Sequence, residues 1–188
     1  MFVPFACGAL LARDGGRVLR NAFDTTPEYL DERRGGSVGD DGALDFFRYG
    51  QLGTRRANAL KLWAALRYLG RKGYRQIIDR QLSLTRYLAR EMDKLDDFEL
   101  VGDVQTAVCR VRFLPAAVRV AAAQSQDDPQ CALQQRIERS GRAWLATTVV
   151  HGRRALRINV NGMLTRKEHI DELVALLRRA GPIAAAGQ

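Results

Sequence analysis

The sequence predicts an α/β fold in which antiparallel strands are covered by helices, and three observations support this prediction. An apolar stripe at helical spacing runs through residues 57–69 and ends at a glycine. Residues 107–113 place Ala107, Cys109, Val111 and Phe113 on one side and two arginines on the other, and this period of two is typical of a half-buried strand. Residues 144–160 form two strand-like runs joined by a His-Gly turn, so they predict an antiparallel hairpin.

The composition is that of a globular chain. Of the 188 residues, 46% are hydrophobic and 27% are charged, unlike a disordered protein. No apolar run reaches the roughly 18 residues that a transmembrane helix needs, so no membrane span is expected. The three cysteines are widely spaced and form no Cys-x-x-Cys pair. This spacing argues against a disulfide framework or a zinc site and suits a cytoplasmic protein.

The net charge of +9 raises the possibility of a nucleic-acid partner. The arginines, however, are spread over different predicted elements, and no aromatic residues alternate with them to form a stacking surface. The weaker alternative is therefore a basic domain without catalytic activity that binds nucleic acid or protein.

The first 56 residues are predicted to contain a strand, a helix and a long loop. Residues 2–13 form a short apolar run that ends at Asp-Gly-Gly, which indicates a buried strand with a sharp exit turn. Residues 17–23 fit a short helix. Residues 24–42 are polar and glycine-rich, and a loop of this length in a compact domain is often a lid.

Two helices are predicted on either side of the glycine pair Gly70 and Gly73. The first covers residues 57–69, and the second extends from Tyr74 to about Leu95. The stripe of the first helix is expected to be buried, and it consists of Ala59, Leu62, Trp63, Leu66 and Leu69.

Strands are predicted at residues 98–101, 107–113, 144–150 and 155–160. In the second of them, Cys109, Val111 and Phe113 share the buried side, and Arg110 and Arg112 are expected to face away. In the last strand, Leu156, Ile158 and Val160 share one face, and Arg157 and Asn159 point the other way.

Two further helices complete the predicted small domain. One begins with Asp128 as N-cap and Pro129 as its first residue, and it ends near Ser140. The other begins at a capping box formed by Thr165 and Glu168. It is predicted to stop at Gly181-Pro182, which leaves a disordered tail at 181–188.

Several ordered segments resemble pyridoxal-phosphate-dependent amino-acid decarboxylases of the aromatic-amino-acid, glutamate and diaminobutyrate group. These are P-x-x-C-G-A at residues 4–9, A-F-x-x-x-P-x-Y-L at 22–30, G-x-R-R-x-x-A-L-K-L-W-x-x-L-R-x-L-G-x-x-G at 53–73 and L-R-I-x-V-N at 156–161. The alternating strand at 107–113 lies between the last two of these motifs, and the order of all five segments along the chain carries the resemblance. The resemblance extends from Met1 to about Leu177.

The resemblance implies the C-terminal portion of a fold-type-I enzyme. Residues 1–56 would be the tail of the large cofactor domain, with a mobile catalytic loop at 24–42, and residues 57–180 the hinge helix and small domain. The cofactor would be pyridoxal 5′-phosphate, whose ring acts as an electron sink in decarboxylation. In this family the lysine that anchors the cofactor precedes the P-x-x-C-G-A strand by several residues, so the resemblance implies a position just before Met1. None of the chain's four lysines looks placed for a Schiff base.

The resemblance also assigns site residues. Tyr29 in the mobile loop would protonate the substrate carbon after carbon dioxide leaves, because a phenol is a competent proton donor once water is excluded. Arg157 would hold the substrate carboxylate, to which a guanidinium can bind bidentately. By the same resemblance, Gly53 and Thr54 would lie near the cofactor or the subunit interface.

The expected function is decarboxylation of an amino acid by a cytoplasmic enzyme that forms a homodimer at full length. The 188-residue chain alone is expected neither to form a Schiff base nor to turn over. Another fold-type-I reaction on the same frame is the enzymatic alternative. The sequence does not identify the amino acid that serves as substrate.

Overall fold

The computed structural model describes residues 9–23, 46–51, 56–120 and 126–186. The chain divides into two compact units, Met1–Arg71 and Lys72–Gln188. The domain boundary that the sequence places between residues 56 and 57 stays a prediction. The predicted loop at 24–42 lies outside the described residues.

The first unit contains a short helix, α1, at Gly15–Phe23, which confirms the helix predicted at 17–23. Asp14 stabilises its start in two ways. The Asp14 carbonyl oxygen accepts a hydrogen bond from the Val18 backbone nitrogen at 3.0 Å, and the Asp14 carboxylate accepts one from Arg17 Nε at 2.8 Å. A short 3₁₀ helix follows at Phe46–Tyr49.

The strand predicted at residues 2–13 is wrong for the part that the structure describes. Residues 9–12 belong to no helix or strand, and Leu10 and Leu11 are 77% and 96% exposed. A strand needs neighbours that satisfy its backbone hydrogen bonds, and the sheet of the described chain is built from later segments. Residues 1–8 lie outside the described residues.

Helix α2 extends over Asn58–Asp93 and is interrupted at Gly70, whose φ is 61° and ψ is 179°. This backbone conformation favours glycine, because a Cβ would be strained there. The interruption confirms the break between two predicted helices. Gly73, the second glycine of the pair, lies inside the helix.

The predicted burial of the apolar stripe at the start of α2 is wrong. Trp63 is 60% exposed and Leu66 is 47% exposed, and the guanidinium of Arg67 lies 6.0 Å from the centre of the Trp63 ring. Helical periodicity identifies an apolar side but does not specify what covers it. In the last part of α2, by contrast, Leu88 and Met92 are fully buried.

Four antiparallel strands form one sheet in the order β1-β2-β4-β3. They are β1 (Phe98–Leu100), β2 (Val108–Phe113), β3 (Ala146–Val150) and β4 (Arg153–Asn159), which confirms the predicted strands. His151 and Gly152 join β3 to β4 with φ of 49° and 75°. Two successive positive φ angles are typical of a type I′ hairpin turn.

The core lies on one face of this sheet, under α2, α4 (Asp128–Arg139) and α5 (Lys167–Ala186). Cys109, Val111 and Phe113 of β2 are fully buried in it, so the predicted alternation is confirmed. The helices contribute the buried side chains Leu88, Met92, Leu133, Ile137, Ile170 and Leu177. We refer to the opposite face as the outer face.

The prediction that Arg112 faces away from buried surroundings is wrong, because Arg112 is only 2% exposed. It lies on the outer face, beside Gln126 and Asp127, which come just before α4. The short helix α3 (Ala116–Arg119) lies between β2 and α4 in the chain. Arg112 Nε donates to the Arg154 carbonyl oxygen at 3.0 Å, and Nη2 lies 3.6 Å from Asp127 Oδ1. Alternation assigns a residue to a face but does not predict whether that face is covered.

Side chains near the start of α4 replace backbone hydrogen bonds at this end of the sheet. Gln130 is fully buried; its Oε1 accepts from the Phe113 backbone nitrogen at 2.8 Å, and its Nε2 donates to the Phe113 carbonyl oxygen at 2.7 Å. Asp127 Oδ1 accepts from the Arg154 backbone nitrogen at 2.8 Å. The predicted N-cap, Asp128, is therefore wrong by one residue. Asp127 occupies the N-cap position, and its carboxylate binds Arg154 and Arg112 without capping the helix.

The predicted end of α5 at Gly181-Pro182 is wrong, because the helix continues to Ala186. Gly181 is buried, and a Cβ at this position would lie 2.6 Å from Phe113 Cε2. The glycine thus permits close packing and does not end the helix. Of the predicted disordered tail, residues 181–186 are helical and residues 187–188 lie outside the described range.

The start of α5 also differs from the prediction. The helix begins at Lys167, and the Arg166 backbone nitrogen donates to His169 Nδ1 at 3.1 Å. His169 thus satisfies a helix-terminal donor in place of the predicted capping box of Thr165 and Glu168.

Candidate functional site

The outer face also carries two arginines whose backbones lie directly opposite each other on neighbouring strands. Arg110 of β2 and Arg157 of β4 are partners in the strand register, and both are half-buried. Their neighbours Cys109 and Ile158 point into the core. The structure therefore places Arg157, a predicted site residue, beside a second guanidinium on the same face.

The backbone hydrogen bonds define how close these side chains come. The Val101 backbone nitrogen donates to the Arg110 carbonyl oxygen at 2.9 Å, so the backbone of Arg110 bonds towards β1. The Val160 backbone nitrogen donates to the Ala107 carbonyl oxygen at 2.8 Å. Because bonded and non-bonded pairs alternate in an antiparallel ladder, Arg110 and Arg157 form a non-hydrogen-bonded pair. In such pairs the Cα atoms lie about 4.5 Å apart and the side chains approach most closely.

The two arginines line an open groove of about 600 Å³. Its other polar lining residues are Asp103, Gln105, Thr106, Thr148 and His151. Among the described residues, neither guanidinium has a hydrogen bond or an ion pair. The groove therefore presents cationic donors that are available to an anion.

Gly102 makes room for the guanidinium of Arg110. Its φ is 72°, and a Cβ added there would lie 3.0 Å from Arg110 Nη2. Both the backbone conformation and the close approach favour glycine. Because Val101 is bonded to the backbone of Arg110, Gly102 is held beside this side chain.

The other predicted site residues, Tyr29, Gly53 and Thr54, lie outside the described residues. Sequence reasoning missed Arg110 as a site residue, although it placed Arg110 on the outward side of its strand. The missing information was the strand register, which pairs Arg110 with Arg157. The period-two pattern alone does not specify the register.

None of the four lysines fits the role of a cofactor anchor, which requires a positioned, desolvated amine. Lys61 and Lys72 are exposed. Lys94 Nζ forms an exposed ion pair with Glu91 at 2.7 Å. Lys167 Nζ lies 4.9 Å from the centre of the Tyr87 ring, outside the groove. The described residues therefore provide no lysine for covalent attachment of pyridoxal phosphate.

A larger depression of about 960 Å³ lies between the end of α2, β1 and α5. Its lining mixes both signs of charge, with Glu91, Lys94, Asp96, Asp97, Arg178 and Arg179. Such a lining does not select one sign of ligand. We therefore regard the smaller groove, with its paired arginines, as the candidate site.

Two other groups with shifted pKa values have structural roles. The hydrogen bond that the Tyr87 hydroxyl donates to Asp171 raises the pKa of Tyr87 and connects α2 to α5. Burial raises the pKa of the Cys109 thiol to about 11. A thiol that stays protonated at neutral pH is a poor nucleophile, so Cys109 is a core residue.

Within the ranges that the structure describes, no three His, Cys, Asp or Glu side chains cluster as metal ligands. The same ranges contain no helix that is both long and apolar enough to cross a bilayer.

Comparison with known proteins relates the chain to one family. The family model described as the pyridoxal-dependent decarboxylase conserved domain matches residues 1–113, more than half of the 188 residues. The aromatic-L-amino-acid decarboxylase of Bacillus atrophaeus is 25% identical over 177 residues, which cover 94% of this chain and 36% of that protein. The acidic amino acid decarboxylase GADL1 of Xenopus tropicalis is 34% identical over 113 residues, which cover 60% of this chain and 22% of that protein.

The fold is also similar to solved structures. A crystal structure of Oryza sativa TDC with PLP and tryptamine matches with a TM-score of 0.75 and 25% sequence identity. The match covers 87% of this chain and 33% of that chain. The chain thus spans about a third of the length of the first relatives that it matches.

Proposed function

Because the chain belongs to the pyridoxal-dependent decarboxylase family, we propose that it is the C-terminal part of an enzyme that converts an amino acid to an amine and carbon dioxide. The single observation that carries this proposal is the position of Arg157 in an open groove, opposite a second cation and without an anionic partner among the described residues. The family's cofactor is pyridoxal phosphate, and its lysine anchor would belong to another part of the full-length protein.

In this proposal Arg157 orients the substrate. Its guanidinium is a rigid fork that can donate two parallel hydrogen bonds to one carboxylate. The backbone of β4 is fixed between β2 and β3, so the fork projects from a rigid element. A carboxylate held in this way has a defined direction, which is what a positioning residue contributes to catalysis.

We propose that Tyr29 donates the proton that replaces the departing carboxyl group. The support is the motif A-F-x-x-x-P-x-Y-L at residues 22–30 and the ability of a phenol to donate a proton in a site closed to water. The full-length enzyme would be a cytoplasmic homodimer, and Gly53 and Thr54 would contact the cofactor.

The test is carbon dioxide release from a panel of amino acids by the full-length enzyme. Arg157→Gln should lower kcat/KM about 10- to 100-fold, since hydrogen bonds to charged groups contribute about 1.5–3 kcal/mol. Tyr29→Phe should suppress amine formation. Arg86→Gln removes an exposed charge from α2 and should leave both quantities unchanged. Full kcat/KM in Arg157→Gln would contradict the role of Arg157.

Two alternatives make different predictions for the same preparation. Another pyridoxal-phosphate reaction on this frame would release a carbonyl product in place of an amine. A basic binding domain, which the net charge of +9 would suit, would bind nucleic acid with an affinity that falls steeply as salt is raised. Product analysis distinguishes decarboxylation from another pyridoxal-phosphate reaction, and a salt titration of nucleic-acid binding tests the basic binding domain.

A further inference from the structure

The face-to-face arrangement of Arg110 and Arg157 is unfavourable unless an anion is present. Like charges directly opposite each other on neighbouring strands destabilise a sheet. Both residues are half-buried, and the described residues supply neither guanidinium with an ion pair. Two carboxylate groups would remove this repulsion.

We propose that the groove binds an acidic amino acid, whose two carboxylates pair with Arg110 and Arg157. This inference rests on the proposed function, in which Arg157 holds one carboxylate, and it adds Arg110 as the residue that holds the other.

The charge of the lining supports this choice of ligand. Among the described lining residues, Arg110 and Arg157 supply two guanidinium groups and Asp103 supplies one carboxylate, so these cations outnumber the anions. A guanidinium binds a carboxylate bidentately, and two forks on adjacent strands suit two carboxylates of one small molecule. The nearby hydroxyls of Thr106 and Thr148 can donate to the remaining carboxylate lone pairs.

The lining also argues against an aromatic side chain as the group that the groove recognises. None of the described lining residues is Phe, Tyr or Trp. The apolar part of the lining is limited to Val108, Val149 and Val150. An aromatic amino acid would gain little burial here, and the second guanidinium would stay without a partner.

The position of Arg110 is built into the chain. A Cβ added at Gly102 would lie 3.0 Å from Arg110 Nη2, so the backbone and the guanidinium are close together here. The backbone hydrogen bond between Val101 and Arg110 maintains this approach. The guanidinium is therefore restrained beside the groove before any ligand arrives. Such pre-organisation reduces the entropy that binding costs.

The experiment is a calorimetric or NMR titration of the purified 188-residue chain without cofactor, at low ionic strength. L-Glutamate and L-glutamine differ mainly by one carboxylate, so the ratio of their affinities measures what Arg110 contributes by binding the second carboxylate. We expect L-glutamate to bind about tenfold more tightly than L-glutamine, L-phenylalanine or inorganic phosphate. In Arg110→Gln the preference for L-glutamate over L-glutamine should disappear.

Three variants serve as controls in the same titration. Arg110→Lys keeps the charge but lacks the fork, so it should retain only part of the preference. Asp103→Asn removes the negative charge of the lining and should tighten L-glutamate binding severalfold. Arg86→Gln changes the net charge by the same amount as Arg110→Gln, but on α2, and should bind L-glutamate like the unaltered chain. Far-UV circular dichroism and a urea titration verify that each variant is folded.

The outcomes are distinct. Equal affinity for L-glutamate and L-glutamine, tighter binding of phosphate, no binding to the folded chain, or an unchanged preference in Arg110→Gln would each overturn the inference. Because the titration needs no cofactor, its result is independent of carbon dioxide release. A full-length enzyme without decarboxylase activity would refute the proposed function while leaving an observed L-glutamate preference intact.

Discussion

Arg110 and Arg157 are cross-strand partners at a non-hydrogen-bonded position, with both guanidinium groups on the same face of the sheet. The other face of the same two strands contributes Cys109 and Ile158 to the core. The strands therefore hold the backbones of the two arginines in a fixed relationship, because neither strand can shift without disturbing buried packing. This relationship connects the fold to the proposed site.

The first prediction concerns the stability of the empty sheet. Arg110→Gln should raise the free energy of unfolding by about 0.2–1 kcal/mol at low ionic strength, since it removes a like charge directly opposite Arg157. The gain should decrease as salt is added, because screening weakens repulsion between partly exposed charges. Urea unfolding of this variant and of Arg86→Gln measures both effects, and a clear loss of stability in Arg110→Gln would count against the repulsion.

The second prediction concerns the close approach of α5 to β2. Gly181→Ala should destabilise the protein by about 1–3 kcal/mol, because the new methyl group would lie 2.6 Å from the Phe113 ring. Gly16→Ala is the matched control, since a Cβ in α1 would meet nothing within 4 Å. Gly16→Ala should be neutral or slightly stabilising. Equal urea midpoints for the two variants would show that Phe113 moves aside at no cost.

The third prediction is a loss of stability at alkaline pH caused by Cys109. Burial raises the pKa of its thiol from 9.0 to about 11, so between these values the unfolded chain loses a proton that the native chain keeps. Stability should therefore fall as pH rises from about 9 to about 11, by about 3 kcal/mol for two pKa units.

The control for this prediction is Cys109→Ala, in which that part of the pH dependence should be absent. The difference between the two unfolding profiles isolates Cys109 from other groups that titrate in the same range. Parallel profiles for the variant and the unaltered chain would contradict the assigned burial effect.

The fourth prediction concerns the cofactor. The purified 188-residue chain should form no stoichiometric lysine adduct with equimolar pyridoxal phosphate, because the four lysines are exposed or lie outside the groove. Borohydride reduction followed by intact mass spectrometry measures the adduct. A single modified lysine at full occupancy would indicate a desolvated amine that the structure does not contain.

Local patterns in the sequence predicted much of the second unit. Alternation of Cys109, Val111 and Phe113 predicted β2 and its buried side, and the His151-Gly152 pair predicted the turn between β3 and β4. These features depend on neighbouring residues, so a single sequence contains them. The family resemblance, which the family model confirms, likewise came from short ordered motifs.

The errors concern contacts between distant segments. Arg112 is buried beside Gln126 and Asp127, and Gly181 packs closely against Phe113 within α5. The apolar stripe at Trp63 and Leu66 is exposed, since periodicity does not specify a covering surface. Arg110 belongs to the candidate site through the strand register. None of these relationships can be derived from local periodicity.

The side chains of Gln130 and Asp127 occupy backbone positions that a neighbouring strand would otherwise fill, at Phe113 and Arg154. Amide hydrogen exchange at these two residues should therefore report detachment of α4, whereas exchange at the central residues of β2 should report opening of the sheet itself. Two probes in adjacent strands would thus separate a local fluctuation from global unfolding. A mutation that loosens α4 alone would accelerate exchange at Phe113 and Arg154 and leave exchange at the central residues of β2 slow.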